Sequence, residues 1–334
     1  MISGNNRSEL YKSLVHFLTL SGCSIENTGL MYGKMGIVIS LFEASSFGED
    51  ENIGDTAYVM LREVLALPAA DGSFDNGNIG IACALLYLIK QQYIDADYCD
   101  IYKQEHSLIV DYLKYTEIEQ SNIIPCIDSL FFLLLAESFV SLDDFNQIGF
   151  KLSESIITFY RKIKQYDYIS FYSNSAKILA LYDMQKKSHA LVKEPLIKVI
   201  VCDCFKYYKN GVVCDHLPFM VELLNLGIKS KREDITSFAD SLLEIFFSNL
   251  FIEVLDYKSA IDTLYYIERI SKLMGKAKYK SIEYELKILL YENDLFLHKI
   301  NWRTLAGLKG GIPRLLLNKS LNKSSFFIHM IMLQ

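Results

Sequence analysis

Cys214 and His216 stand two residues apart, and Asp256 follows some forty positions on. Thiolate, imidazole and carboxylate all ligate zinc, so these three side chains could rebuild a metal site that deprotonates a bound thiol. Cys202-x-Cys204, just upstream, offers a second arrangement. Residues two apart on a helix project about 200° from each other, so that pair converges poorly if its segment is helical. The six histidines, at positions 16, 106, 189, 216, 298 and 329, show no His-x-x-x-His or His-Glu-x-x-His spacing. No Gly-x-Ser-x-Gly elbow and no P-loop occurs. Carboxylate-pair chemistry, as in carbohydrate-active toroid enzymes, stays open by pattern, because Asp75, Asp128 and Asp215 all lie near helix entrances. Asp75 is read more simply as the N-cap of the helix that follows it.

The elements that position these residues follow from composition and period. The chain has 334 residues, 51% of them hydrophobic, with only 17 Gly and 5 Pro. So few breakers point to an all-α protein, and the apolar fraction is enough for a sizeable core. Lys and Arg number 34 against 40 Asp and Glu, and no basic stripe suits nucleic acid. The longest apolar run, Leu130 to Ala136, is far short of the ~20 residues that span a bilayer, and the N-terminus lacks the apolar stretch of a secretory signal. Seven scattered cysteines, an odd number, read as reduced thiols. A cytoplasmic protein is expected.

Two segments are alike: Thr28-Gly-Leu-Met-Tyr-Gly33-Lys-Met-Gly36-Ile and Gly72-Ser-Phe-Asp-Asn-Gly77-Asn-Ile-Gly80-Ile-Ala-Cys-Ala-Leu-Leu-Tyr. A third copy runs from Leu305 through Gly307 and Gly310 to Leu317. Weaker copies carry small or polar residues at the glycine positions, anchored at Cys126, Ser173, His216 and Lys258. The anchors recur every 42 to 49 residues or so. Each opens an apolar helix, and an amphipathic stretch lies between successive anchors, as at Ile101 to Lys114 and Leu191 to Tyr208. Glycine at the turn permits φ > 0 and close packing. The expectation is a single domain over residues 1–334, about seven helical hairpins with inner and outer rings, closed into an α/α toroid because both terminal copies carry the full motif.

Gly-Leu-Met-Tyr-Gly-Lys-Met-Gly-Ile, Asn-Gly-Asn-Ile-Gly-Ile-Ala-Cys-Ala and Gly-Leu-Lys-Gly-Gly-Ile resemble the lanthionine synthetase C-like family. The resemblance implies an α/α toroid of seven inner and seven outer helices. In active members it further implies a zinc ion held by a Cys of the fifth repeat and a Cys-His pair of the sixth. That zinc activates a substrate thiol for addition to dehydrated Ser or Thr, with a fourth-repeat His and a third-repeat Asp moving protons. Residue by residue, Cys214 matches the first ligand. Asp256 and Tyr257 stand where the Cys-His pair belongs, with Lys258 in place of the following glycine. Tyr172 replaces the histidine and Asn122 the aspartate. Tyrosine titrates near ~10 and an amide does not titrate.

The expectation is therefore a degenerate member, a pseudo-enzyme that binds or scaffolds a ribosomally made precursor peptide or its modifying enzymes and carries no cofactor. The alternative is an active variant cyclase or other toroid enzyme with remodelled residues, including a zinc site rebuilt from Cys214, His216 and Asp256.

Overall fold

The computed structural model describes residues 4–48, 51–116, 123–163, 168–185, 190–292, 308–309, 313–314, 317 and 325–334. Scarcity of breakers lets the apolar periods run on as long helices, fourteen of them among the described residues, with no strand there. They are α1 (Gly4–Ser24), α2 (Lys34–Gly48), α3 (Glu51–Ala66), α4 (Asn78–Lys90), α5 (Tyr98–Tyr115), α6 (Ile124–Leu135) and α7 (Leu142–Ile163). The second half has α8 (Tyr168–Met184), α9 (Glu194–Lys209), α10 (Leu217–Ser230), α11 (Glu233–Ser248), α12 (Tyr257–Met274), α13 (Ala277–Glu292) and α14 (Phe326–Met332).

Two helix types alternate, and side-chain pattern decides which is which. In α4 every residue from Ile79 to Leu88 is buried, as is every residue of α6 from Cys126 to Leu133. Helices apolar all round belong inside. By contrast, α5 buries only Tyr98, Tyr102, His106, Ile109 and Leu113, one stripe at helical spacing. In α9, Cys204 is buried and Cys202 exposed, so the two thiols do lie on different faces. Five inner helices pack on the outer helix that follows them: α2 on α3, α4 on α5, α6 on α7, α10 on α11 and α12 on α13. Neighbouring inner helices also touch, in the order α2, α4, α6, α8, α10, α12.

The ring closes through Leu308, Lys309, Pro313 and Arg314. The Lys309 N–H donates to the Met31 carbonyl at 3.0 Å, Leu308 packs beside Gly36, and the Ser40 hydroxyl reaches the Pro313 carbonyl. On the other side Arg314 pairs with Asp262 of α12. The expected toroid is thus the observed architecture. Among the described residues no helix is long and apolar enough to cross a membrane.

Two local expectations are corrected. The described motif glycines do not take positive φ: Gly77 sits at φ −119°, and the described glycines with positive φ are Gly211 and Gly275. Glycine is needed instead for close approach, since a Cβ at Gly80 would strike the Phe74 carbonyl and one at Gly36 the Leu30 carbonyl. Nor does Asp75 cap α4. The N-cap is Gly77, while the Asp75 carboxylate pairs with Lys309 at 3.2 Å and its carbonyl accepts from Met31 N–H.

Nothing in the repeat period calls for α14, yet it occupies the lumen. Apart from His329 its residues are all apolar, and Phe327 through Met332 are buried. Phe327 stacks on Tyr87 of α4 and on Phe131 of α6. Tyr266 of α12 donates to the Met332 carbonyl at 3.0 Å. The helix starts beside the C-terminal ends of α4, α6 and α8 and delivers Gln334 to the first turns of α6 and the middle of α8. It therefore runs antiparallel to the inner ring.

Candidate functional site

The N-terminal ends of the inner helices form one mouth of the ring, and most residues singled out by sequence meet there. Cys214 lies in the turn before α10 and is only 4% exposed. Burial pushes its thiol up to about 12, although the backbone N–H of His216 opposes this. His216 is the N-cap of α10, its Nδ1 accepting the Phe219 N–H at 3.2 Å. Burial pushes that imidazole down to about 4, and a ring accepting at Nδ1 has to be neutral.

Asp256 is likewise spent as a cap. It opens α12, with Oδ1 accepting the Ser259 N–H at 2.8 Å and Oδ2 the Ser259 hydroxyl at 3.1 Å. Tyr257 is buried behind it and Lys258 is exposed. Tyr172 lies inside α8, packed edge-on to Phe171 and tilted against Phe219. Its buried hydroxyl has no hydrogen-bond partner among the described residues. Burial raises its pKa, and Cys204 and Cys214 raise it further. Asn122 lies outside the described residues.

As placed, this donor set does not fit the three-ligand zinc site that the resemblance implies. The His216 Nδ1 and both Asp256 oxygens already serve backbone or hydroxyl donors, and Tyr257, at the third matching position, is no ligand at neutral pH. Among the described residues no three His, Cys, Asp or Glu side chains are placed together to hold a metal ion.

Two polar clusters were not legible in the sequence, although Asp75 and Asp128 of the first stood out as candidates near helix entrances. At the mouth, Asp128 of α6 and Lys177 of α8 are 6% and 4% exposed, and Gln334 bridges them. Its Oε1 accepts from Lys177 Nζ at 2.6 Å, and its Nε2 donates to Asp128 Oδ1 at 2.6 Å. Burial pushes Asp128 up to about 6 against the pull of Lys177 and the Gln334 hydrogen bond. Burial lowers Lys177, with Asp128 opposing. Asp75 and Lys309 pair on the same side, the lysine lying 5.1 Å from the Tyr32 ring centre. Asp75 and Asp128 thus each face a cation, rather than sharing a proton as a catalytic pair would.

The second cluster lies deeper, toward the opposite end. His329 of α14 places Nε2 3.0 Å from Glu222 Oε1 and Nδ1 2.8 Å from the Tyr265 hydroxyl. Arg269 reaches Glu222 at 3.1 Å. Burial raises Glu222, but His329 and Arg269 outweigh burial and hold it low. Beside it opens a cavity of about 400 Å³ lined by Tyr265, Arg269, Lys272 and His329. The sequence signal for both clusters was a charge inside an apolar inner helix, as with Asp128 before Leu130 to Leu135 and Glu222 amid Phe219 to Leu224.

Comparison with protein-family models finds no match, and comparison with curated proteins finds none either. Among solved structures the chain is similar to nisin cyclase, with a TM-score of 0.69 over 98% of this chain and 97% of that one, at 12% sequence identity. The two chains share the toroid fold along nearly their whole length.

Proposed function

We propose that this toroid is a lanthionine synthetase C-like protein that serves maturation of a ribosomally made peptide as a non-catalytic binding or scaffolding partner. The fold shared with nisin cyclase supports the connection to peptide modification. One observation carries the non-catalytic part: where the family's Cys-His pair belongs, the chain has Asp256, whose carboxylate caps α12, and Tyr257, which is buried behind it. Thioether formation near neutral pH needs thiolate, and a free cysteine of pKa near ~8.5 is only a few per cent ionised without a metal. Tyr172 in place of the histidine supplies no proton donor of suitable acidity.

Metal analysis of the purified protein tests this reading together with affinity capture from the native host. Less than a tenth of an equivalent of zinc, no cyclisation of a dehydrated Cys-containing peptide, and recovery of a precursor peptide or its modifying enzyme are expected. Near one zinc per chain, lost on Cys214→Ala or Asp256→Ala, would overturn it in favour of a rebuilt enzyme.

A further inference from the structure

The mouth of the ring holds a carboxylate and an ammonium, both nine-tenths buried or more, and a single carboxamide joins them. We propose that the Asp128–Lys177 pair is a recognition site for a primary carboxamide, such as a glutamine or asparagine side chain of a bound peptide, and that Gln334 occupies it as a ligand supplied by the chain itself.

Charge and geometry select this chemistry. A carboxylate ligand would satisfy Lys177 but face Asp128 with like charge, and an ammonium ligand would do the reverse. An alcohol could serve both but has a single oxygen from which to do so. A primary carboxamide presents an acceptor and a donor from one planar carbon, on the same side, so each charged partner receives the complementary group. The trans peptide group holds its C=O and N–H on opposite sides, and so cannot make both contacts. The site therefore separates side-chain amides from the peptide main chain. Both observed bonds are short, as charge-assisted hydrogen bonds are.

Vacating the site needs little rearrangement. The buried packing of α14 involves Phe327 to Met332, whereas Gln334 lies beyond the helix and is partly exposed. A turn of its side chain opens the pair while α14 stays in the lumen. Asp75, Lys309 and the half-exposed Tyr32 border the same mouth and would lie along an entering peptide. The occupied fraction sets the apparent affinity for any competitor, since a ligand meets only molecules whose site is free.

This inference rests on the peptide-binding reading for its natural ligand alone, and the test uses small probes. Acetyl-glutamine N-methylamide is titrated into the full-length protein and into Gln334→Ala, with acetyl-glutamate N-methylamide and acetyl-methionine N-methylamide as comparisons. The variant is expected to bind the glutamine probe at least tenfold more tightly than the native chain and neither comparison measurably. Adding Asp128→Asn or Lys177→Met to Gln334→Ala should lose that gain at least tenfold, with circular dichroism showing retained helix. In the native protein, the Gln334 side-chain amide resonances should lie away from free-glutamine shifts and move toward them as the probe is added.

Equal binding of the glutamine and glutamate probes, no binding to Gln334→Ala, or native Gln334 resonances already at free shifts would overturn the proposal. Probe binding with no peptide recovered from the host would sink the peptide-maturation reading and leave the carboxamide site standing.

Discussion

At the residue scale, His216 accepts a hydrogen bond through a nitrogen that protonation would occupy. Its pKa is lowered from 6.5 to about 4, so between those values the unfolded chain binds more protons than the folded one, and stability rises with pH. Asp128, raised from 3.8 to about 6, works with the opposite sign over much of the same range, and a bare pH–stability curve would blend the two. His216→Asn keeps an N-capping side chain and removes only the imidazole. The stability difference between native protein and His216→Asn should grow by up to about 3 kcal/mol from pH 4 to 6.5 and stay flat above. Urea melts at half-unit pH steps measure it. A difference independent of pH would show that the ring does not cap α10 in the neutral form.

At the scale of elements, Gly80 shows why the strongest copies of the repeat keep their glycines. Alanine favours helix over glycine by ~1 kcal/mol, so an exposed mid-helix glycine is improved by the change. Gly80 lies in the first turn of α4, where a Cβ would run into the Phe74 backbone and touch Leu30 in the turn before the neighbouring α2. Backbone cannot step aside as a flexible side chain does. Gly80→Ala should therefore destabilise by about 1–3 kcal/mol or more, seen as a fall in the urea midpoint. An unchanged or raised midpoint would mean that α4 shifts freely against its neighbours. The weaker copies at α6 and α8 tolerate Ser129 and Ala176 because those helices begin earlier, at Ile124 and Tyr168. Their small residues lie further inside the helix rather than in a tight entering turn.

At the scale of the whole molecule, closure joins residues about 270 positions apart, and packing dominates the join. Leu308 is fully buried against α2, whereas the Lys309–Asp75 pair keeps about a third of each side chain in solvent. Leu308→Ala should cost ~2–5 kcal/mol. Lys309→Ala should cost less than ~1 kcal/mol, as screened surface pairs do. Comparable losses for the two would place closure in the ion pair instead. Because each inner helix is packed between neighbours on both sides, unfolding should also be a single transition. Loss of far-ultraviolet dichroism and exposure of the buried Cys204 thiol should coincide along a urea series.

The sequence by itself determined which helices face inward, where their entrances lie, and that the ring is helical and closed. Those properties are written in patterns a dozen residues long: apolar on all sides for α4 and α6, one stripe for α5, and Gly-x-x-Gly where backbones must meet. It also located Cys214, His216, Asp256 and Tyr172 at or near the entrances. Only the tertiary structure showed that the His216 ring caps α10 and the Asp256 carboxylate caps α12, because a cap depends on where the next backbone N–H groups point. The same holds for α14 and for the Asp128–Lys177–Gln334 bridge, whose Gln334–Asp128 bond spans 206 positions. No period within a single helix encodes such a meeting; it exists only because the closed ring leaves a lumen that an apolar segment can fill.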